Sequence, residues 1–167
     1  RFIKFIMDVE TTIKVKSDDG AIFELSSKAA SRSGLLNGII KDYPEDNEFS
    51  VAVKGKALEK VKEYLTYYQD KEPPTIEKPL KSNKFEECAT EWDAKFLDIN
   101  NDAILSLVLA ANYMDIKPLL ELAAAKVACS IRGTSTESIR KVFGINDLNE
   151  KEKEQIEKDK SYLEQNL

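Results

Sequence analysis

The sequence contains no histidine among its 167 residues. Histidine is the commonest general base and the commonest metal ligand in proteins, so this absence removes both from the chain. A Ser-His-Asp or Cys-His catalytic mechanism cannot be built from these residues. Carboxylate pairs could still act as acid and base, but with 30 acidic residues such pairs are expected by chance alone. The composition therefore predicts a protein that is not an enzyme, with no cofactor and no metal site.

Cysteine is nearly as scarce, since the chain has only Cys88 and Cys129. A disulfide framework or a metal site needs more ligands at paired spacing. Both residues are therefore interpreted as reduced cytosolic thiols.

Long apolar runs are also missing. Ile104–Ala111 is the longest candidate, and it is far shorter than the roughly 18 apolar residues of a membrane span. The first residues, Arg1–Val9, include Lys4 and Asp8 and lack the pattern of a secretory signal. The net charge of −5 and the pI near 5.0 disfavour binding to nucleic-acid phosphates. We therefore expect a protein partner, and no contact with membranes or nucleic acids.

Hydrophobic patterning predicts an α+β arrangement in the first part of the chain. Polar and apolar residues alternate over Thr12–Lys16, and an Asp-Gly turn leads into a return strand, Ala21–Leu25. A similar alternation from Phe49 to Val53 predicts a third strand. The helices predicted here begin near Lys28, with an interruption at Ser33-Gly34, and span Lys56–Gln69.

A change of composition follows this first part. Lys71–Lys84 combines three prolines with many charges, which predicts an extended linker. The next predicted element is a short helix, Glu91–Leu97, that presents Trp92 and Phe96 one turn apart.

The most apolar part of the sequence is Ile104–Val127, where two helical runs flank a polar break, Asp115–Pro118. The apolar residues of the first run, Ala103–Met114, occupy more than one face, so we expect this helix to be central and buried. The second is predicted to begin at Pro118, because proline is tolerated at the first helical position. It should end before Gly133, which suits the position after a helix C-terminus.

Two capping signals predict further helices towards the C-terminus. Thr134 with Glu137 and Asn149 with Glu152 both match the capping-box pattern, and the last helix should run to about Gln165. This last helix is dense in charge and poor in apolar residues. Two interpretations remain open for it: a frayed, solvated terminus, or a helix completed by the surface of a partner.

The stretch Leu109–Gly133 resembles the signature of the Skp family, the adaptors of SCF-type ubiquitin ligases. Ser138–Gln165 and the Glu-Trp-Asp element within Pro79–Asn100 resemble the same family, and the likeness covers Ile13 to Gln165. It implies a BTB/POZ fold, a small three-stranded sheet with helices, followed by a C-terminal helical extension. It also implies a non-catalytic adaptor, cytoplasmic and nuclear, that bridges a cullin scaffold to F-box proteins for protein ubiquitination and degradation. The RING subunit and the E2 enzyme would meet it only indirectly.

The resemblance also assigns residues to partners. Asn112 and Tyr113 match the pair that faces the cullin. The F-box surface maps to Leu119, Leu120, Val127, Ile131, Ile139, Val142, Phe143, Ile145, Leu148 and Tyr162. The implied organisation is a cullin-facing POZ half at 11–70, a Pro-rich charged linker at 71–90, POZ helices that complete the core at 91–117, and an F-box-binding helical region at 118–167.

Several positions depart from the family pattern. Thr136 replaces the proline that some lineages hydroxylate and glycosylate, Leu148 replaces a phenylalanine, and Tyr162 replaces a late tryptophan. These changes indicate a divergent paralogue with its own set of F-box partners. Two alternatives stay open: a partner of F-box proteins outside any ligase, and an elongin-C-like POZ module that self-associates. The helices from Ser135 onward argue against the second alternative, and a weak homodimer of the free protein is a further expectation.

Overall fold

The computed structural model describes residues 11–146 and 149–165. They fall into two compact units, one ending at Arg132 and the other beginning at Gly133. In the first unit the elements are β1 (Thr12–Lys16), β2 (Ile22–Ser26), α1 (Ser27–Ala30), α2 (Gly34–Asp42), β3 (Glu48–Ser50), α3 (Gly55–Tyr67), a 3-10 turn (Phe85–Glu87), α4 (Glu91–Phe96), α5 (Asn101–Tyr113) and α6 (Lys117–Ile131). The second unit contains α7 (Thr136–Val142) and α8 (Glu150–Gln165).

The three-stranded sheet has the order β2-β1-β3, with β1 antiparallel to β2 and parallel to β3. Ile13 and Val15 alternate with polar residues along β1, so both side chains fall on the inner face and are buried. Gly20 closes the β1–β2 turn with a φ of +86°, which a residue with a Cβ rarely adopts. The predicted hairpin is therefore confirmed.

The third strand is shorter than the stretch predicted from Phe49 to Val53. It covers Glu48–Ser50, because its partner β1 ends at Lys16 and the chain there enters the hairpin turn. Val51 and Val53 are nevertheless buried. The alternation of apolar residues thus reflects burial, which continues past the end of strand pairing.

The interruption predicted at Ser33-Gly34 separates α1 from α2. Ser33 is the N-cap of α2, and its hydroxyl oxygen accepts a hydrogen bond from the N–H of Leu36 at 3.2 Å. The same hydroxyl donates to the carbonyl oxygen of Met114 at 2.6 Å. One buried serine therefore begins a helix and fastens it to the end of α5.

The helix that follows the linker, α4, is fixed to α3 by aromatic contacts and one buried carboxylate. The ring of Trp92 stacks on the ring of Tyr67 with 3.6 Å between centroids. Asp93 is fully buried and accepts hydrogen bonds from the Tyr68 hydroxyl at 2.9 Å and the Thr90 hydroxyl at 2.7 Å. Burial raises the pKa of Tyr68, and its hydrogen bond to the Asp93 carboxylate raises this pKa further. These contacts hold α4 in place despite the extended linker before it.

The second unit corrects one predicted cap and confirms the other. Ser135, not Thr134, is the N-cap of α7, because the helix begins one residue later than predicted. The Ser135 hydroxyl oxygen accepts a hydrogen bond from the N–H of Ser138 at 3.2 Å. Asn149 and Glu152 form the predicted reciprocal capping box. The N–H of Glu152 donates to the Asn149 side chain at 3.0 Å, and the N–H of Asn149 donates to the Glu152 carboxylate at 2.9 Å.

Candidate protein-binding surfaces

The polar break in the most apolar stretch is a tight turn between α5 and α6. Asp115 has a φ of +50°, in the left-handed region that residues other than glycine rarely adopt. Met114 and Ile116, on either side of it, are buried, so two core side chains anchor the turn. Helix α6 begins at Lys117, which makes Pro118 its second residue and not its first as predicted. Proline is tolerated there because the first four N–H groups of a helix lack helical partners.

The N-terminus of α2 packs directly against this turn. The N–H of Gly34 donates to the carbonyl oxygen of Asp115 at 3.0 Å, and the N–H of Leu35 donates to that of Met114 at 3.3 Å. A Cβ on Gly34 would overlap the carboxylate of Asp115 and lie 2.9 Å from its Cβ, so a larger residue there requires the Asp115 side chain to shift. The last turn of α5 is therefore held in position by an element from the start of the chain.

The two residues assigned to the cullin lie together on the exposed last turn of α5. The side chain of Asn112 is exposed, and Tyr113 keeps 46% of its surface accessible. The hydroxyl oxygen of Tyr113 accepts a hydrogen bond from the N–H of Ala52 at 3.3 Å. This bond holds the hydroxyl end of the ring, while nearly half of the residue stays accessible.

Leu109 belongs to the same exposed face and was not among the predicted site residues. It lies one helical turn before Asn112 and Tyr113, and 71% of its surface is accessible. The expectation of a central, buried α5 is therefore wrong on this side. Leu109 precedes Asn112 by three residues and Tyr113 by four, and this spacing could have predicted that the three residues share a face. The apolar residues next to Leu109 instead suggested that it is buried.

Helix α6 has a buried side and a half-buried side. Leu119 is fully buried in the core, so its assignment to an open surface is corrected. Adjacent helical residues project about 100° apart, and the next residue, Leu120, is accordingly half-buried. Val127 and Ile131 are half-buried too, and they follow Leu120 at steps of seven and four residues. These three residues form one stripe along the helix, which we call the α6 stripe.

The second unit contains the other residues assigned to the F-box. Ile139 lies within α7 and Phe143 is the C-cap of this helix. Both are half-buried, and because they are four residues apart they lie on the same side of the helix. The side chain of Val142 and all of Leu148 lie outside the described residues. Their assignment to the F-box surface stays a prediction, as do the assignments of the other residues.

Exposed apolar groups are also present beyond α7. Ile145 and Tyr162 have 55% and 68% of their surfaces accessible, and Ile156 is exposed as well. Every side chain from Glu150 to Tyr162 is exposed, so within its own unit α8 buries no face over this range. Ile156 was not among the predicted site residues.

The assigned F-box residues are distributed over both compact units. The α6 stripe belongs to the first unit, and the residues from Ile139 onward belong to the second. The region predicted to bind the F-box, 118–167, therefore spans the division after Arg132.

Within residues 11–146 and 149–165, no group of three or more acidic or cysteine side chains is arranged to hold a metal ion. In the same ranges no helix is long and apolar enough to cross a membrane. The carboxylates with a lowered pKa belong to turns, helix ends and ion pairs. The pKa of Glu150, for example, is lowered by a hydrogen bond from Lys153.

The structure combines a three-stranded sheet packed with helices and a second helical unit that follows in the chain, and this is the architecture of a POZ domain with a C-terminal helical extension. Two protein-family models match the chain. The one described as "Skp1 family, tetramerisation domain" matches residues 11–70, and the one described as "Skp1 family, dimerisation domain" matches residues 117–162. The chain belongs to the Skp1 family. The BTB/POZ fold expected from the resemblance is confirmed.

Named relatives are similar over almost their full length. The chain is 37% identical over 158 residues to "S-phase kinase-associated protein 1 homolog" from Tetrahymena thermophila, which covers 93% of this chain and 95% of that protein. It is 33% identical over 155 residues to "E3 ubiquitin ligase complex SCF subunit sconC" from Arthroderma otae, with 91% and 94% covered. The protein of the same name from Aspergillus fumigatus is 34% identical over 158 residues, with 93% and 99% covered. The similarity therefore extends across both compact units.

Proposed function

We propose that this protein is a non-catalytic adaptor subunit of an SCF (Skp-cullin-F-box) ubiquitin ligase. It bridges a cullin scaffold to F-box substrate receptors, and so supports ubiquitination and degradation of the bound substrates. Relatives named as SCF subunits, aligned over more than 90% of this chain, support the assignment. The structural observation that carries it is the presence of two accessible faces on either side of the Asp115 turn, one at the end of α5 and one along α6.

The cullin-binding face consists of Leu109, Asn112 and Tyr113. Leu109 supplies exposed apolar area, and Asn112 supplies an amide that both donates and accepts hydrogen bonds. The bond between Tyr113 and the N–H of Ala52 holds the tyrosine ring before a partner arrives. A ring fixed in advance loses less conformational entropy on binding, which favours affinity.

We assign F-box binding to residues of each unit separately: the α6 stripe in the first unit, and in the second unit the accessible apolar residues Ile139, Phe143, Ile145 and Tyr162. The residues of the α6 stripe are half-buried and apolar, so covering them with a partner helix removes apolar surface from water and favours binding. Helix α8 buries none of its side chains from Glu150 to Tyr162 in its own unit, which supports the interpretation that a partner completes it. Leu119 is left out because it is a core residue.

The chemistry of ubiquitin transfer belongs to the E2 enzyme, which the RING subunit recruits to the cullin. The adaptor places the substrate near the E2 enzyme. By binding the cullin and the F-box protein together, it raises the effective concentration of the substrate there. It carries out this role in the cytoplasm and the nucleus. Without an F-box protein, the α6 stripe supports weak self-association, because a second copy covers it in the same way.

Reconstitution from purified components tests this function. The full chain is mixed with an F-box protein and the adaptor-binding part of a cullin, and complexes are measured by size-exclusion chromatography with light scattering. We expect one complex that contains one copy of each protein. A complex with the F-box protein that excludes every cullin tested would instead assign the protein to an F-box assembly outside a ligase. Absence of F-box binding would overturn the proposal.

A further inference from the structure

The two cysteines of the chain meet at one carbonyl group. The thiols of Cys88 and Cys129 both point to the carbonyl oxygen of Ser82, with sulfur–oxygen distances of 3.7 Å and 3.8 Å. Cys88 follows the 3-10 turn at the end of the linker, and Cys129 lies on the buried side of α6. Residues far apart in the sequence are thus brought within reach of each other.

The linker is fastened to α6 on both sides of this pair. The contacts are an ion pair between Lys78 and Glu121 at 2.8 Å, a hydrogen bond from Arg132 to the carbonyl oxygen of Leu80 at 2.9 Å, and the Lys126 ammonium over the Phe85 ring at 4.9 Å from its centroid. They restrain the linker segment that carries Ser82 and Cys88. These contacts place the linker segment against α6, so that both sulfurs lie beside the Ser82 carbonyl group.

The two thiols differ in accessibility. Cys88 is half-buried, so a small oxidant reaches it from solvent, whereas Cys129 is buried. Burial raises the pKa of Cys129, and the neighbouring Cys88 thiol raises it further. Because the thiolate is the reactive form, Cys129 reacts slowly with oxidants in solution. This difference assigns the first oxidation step to Cys88.

We propose that Cys88 and Cys129 form a peroxide-sensitive modification site that closes to a reversible intramolecular disulfide. The Cys88 sulfur takes one oxygen from hydrogen peroxide to become a sulfenic acid, and one water is released. The Cys129 sulfur then attacks the sulfenic sulfur, the S–S bond forms, and the hydroxyl group leaves with the Cys129 proton as a second water. The two thiols together lose two electrons and two protons, and the peroxide is reduced to two waters.

The disulfide ties the linker covalently to α6 without covering the α6 stripe. Val127 and Ile131 each lie two residues from Cys129, and a step of two residues turns about 200° around a helix. They therefore project away from the disulfide. Oxidation should stabilise the first unit while F-box binding continues, and the inference stands whether or not the proposed adaptor function is correct.

Mass spectrometry of the full chain under non-reducing conditions tests the proposal. After treatment with hydrogen peroxide and alkylation of remaining thiols, we expect an intact mass lower by about two hydrogens, no alkylation, and a peptide pair linked through Cys88 and Cys129. A dithiol reductant should restore both alkylation sites. The disulfide closes a loop of roughly 40 residues, so the midpoint of thermal unfolding should rise by about 5 °C or more.

Single variants provide the matched controls. Cys88→Ser and Cys129→Ala, each checked for folding by circular dichroism, should show no rise in the unfolding midpoint with peroxide. Cys129→Ala should accumulate the sulfenic acid at Cys88, detected with a dimedone probe. The proposal is overturned if both wild-type thiols remain alkylatable, if disulfides form only between two chains, or if each sulfur is oxidised separately to the sulfinic acid.

Discussion

The N–H of Gly34, at the start of α2, donates to the carbonyl oxygen of Asp115 at 3.0 Å. Asp115 is the left-handed residue of the turn between α5 and α6. The faces proposed for the cullin and for the F-box begin on opposite sides of this turn, so both depend on a contact made from the first part of the chain. Ser33-Gly34 interrupts the helical pattern between α1 and α2, and this bond shows that the interruption places the start of α2 against the turn.

Gly34→Ala should destabilise the protein by about 1 to 3 kcal/mol, because the new methyl group overlaps the carboxylate of Asp115. Gly38→Ala, in the same helix, is the matched control. Apart from its chain neighbours and the nearby backbone of α2, no atom lies within 4 Å of a Cβ placed on Gly38. This change should therefore stabilise α2 by about 0.5 to 1 kcal/mol. Urea unfolding at equilibrium measures both. Equal effects of the two variants would show that the Gly34–Asp115 approach is not required.

Tyr68→Phe should lower the free energy of unfolding at neutral pH by about 1 to 3 kcal/mol. The change removes a hydroxyl donor from the buried Asp93, which keeps the hydroxyl of Thr90. Chemical denaturation followed by circular dichroism measures the loss. A variant as stable as the wild type would indicate that Asp93 is satisfied without Tyr68.

The same tyrosine should make stability depend on alkaline pH. The folded-state pKa of Tyr68 is raised above an unfolded value of about 10. Its contribution to stability is therefore complete below pH 10 and is lost as the pH rises above that value, since only the unfolded chain then releases the proton. Between pH 8 and pH 11 the wild type should lose more stability than Tyr68→Phe. Tyr43→Phe, at an exposed position, should lose as much as the wild type.

Replacing both Asn112 and Tyr113 with lysine should weaken cullin binding at least about 30-fold, because two charged side chains would be desolvated in a contact face. F-box binding should be unchanged. Isothermal titration calorimetry with each partner measures both constants. Asn83→Lys with Glu86→Lys introduces lysines at two exposed positions between residues 71 and 90 and should leave both affinities intact. Cullin affinity that survives the Asn112 and Tyr113 changes would show that this face is not the cullin site.

Removing Asn149–Leu167 should weaken F-box binding by at least about tenfold, because the truncated chain loses Tyr162 and the rest of α8. Cullin binding should persist, since the first unit has its own core. Binding measured by biolayer interferometry compares the two chains. Equal F-box affinity of the truncated and full chains would return α8 to the interpretation of a solvated terminus.

Hydrogen exchange should distinguish the two interpretations of α8 in the full chain. Since its side chains from Glu150 to Tyr162 are exposed, its amides should exchange rapidly in the free protein. They should become at least about tenfold slower when an F-box protein is bound, because the partner then supplies the missing packing. Exchange followed by mass spectrometry gives the protection of each peptide. Strong protection without a partner would contradict this expectation.

Local patterns predicted the elements of this fold well. The alternation of Thr12–Lys16 reflects burial on alternate sides of a strand, and the capping box of Asn149 and Glu152 joins residues only three apart. The same local signal missed the start of α7 by one residue, because Thr134 and Ser135 are equally capable caps. Which of them acts depends on where the chain leaves the preceding turn.

By itself, the sequence determined which segments form helices and strands, excluded catalysis by histidine, and contained the family motif around Asn112 and Tyr113. Only the tertiary structure decided that Leu119 is core while Leu120 is half-buried, that Leu109 is exposed, and that Cys88 and Cys129 meet at Ser82. The physical reason is the range of the interactions. Periodicity and capping act within a few residues, whereas exposure and these contacts depend on how elements distant in the chain pack together.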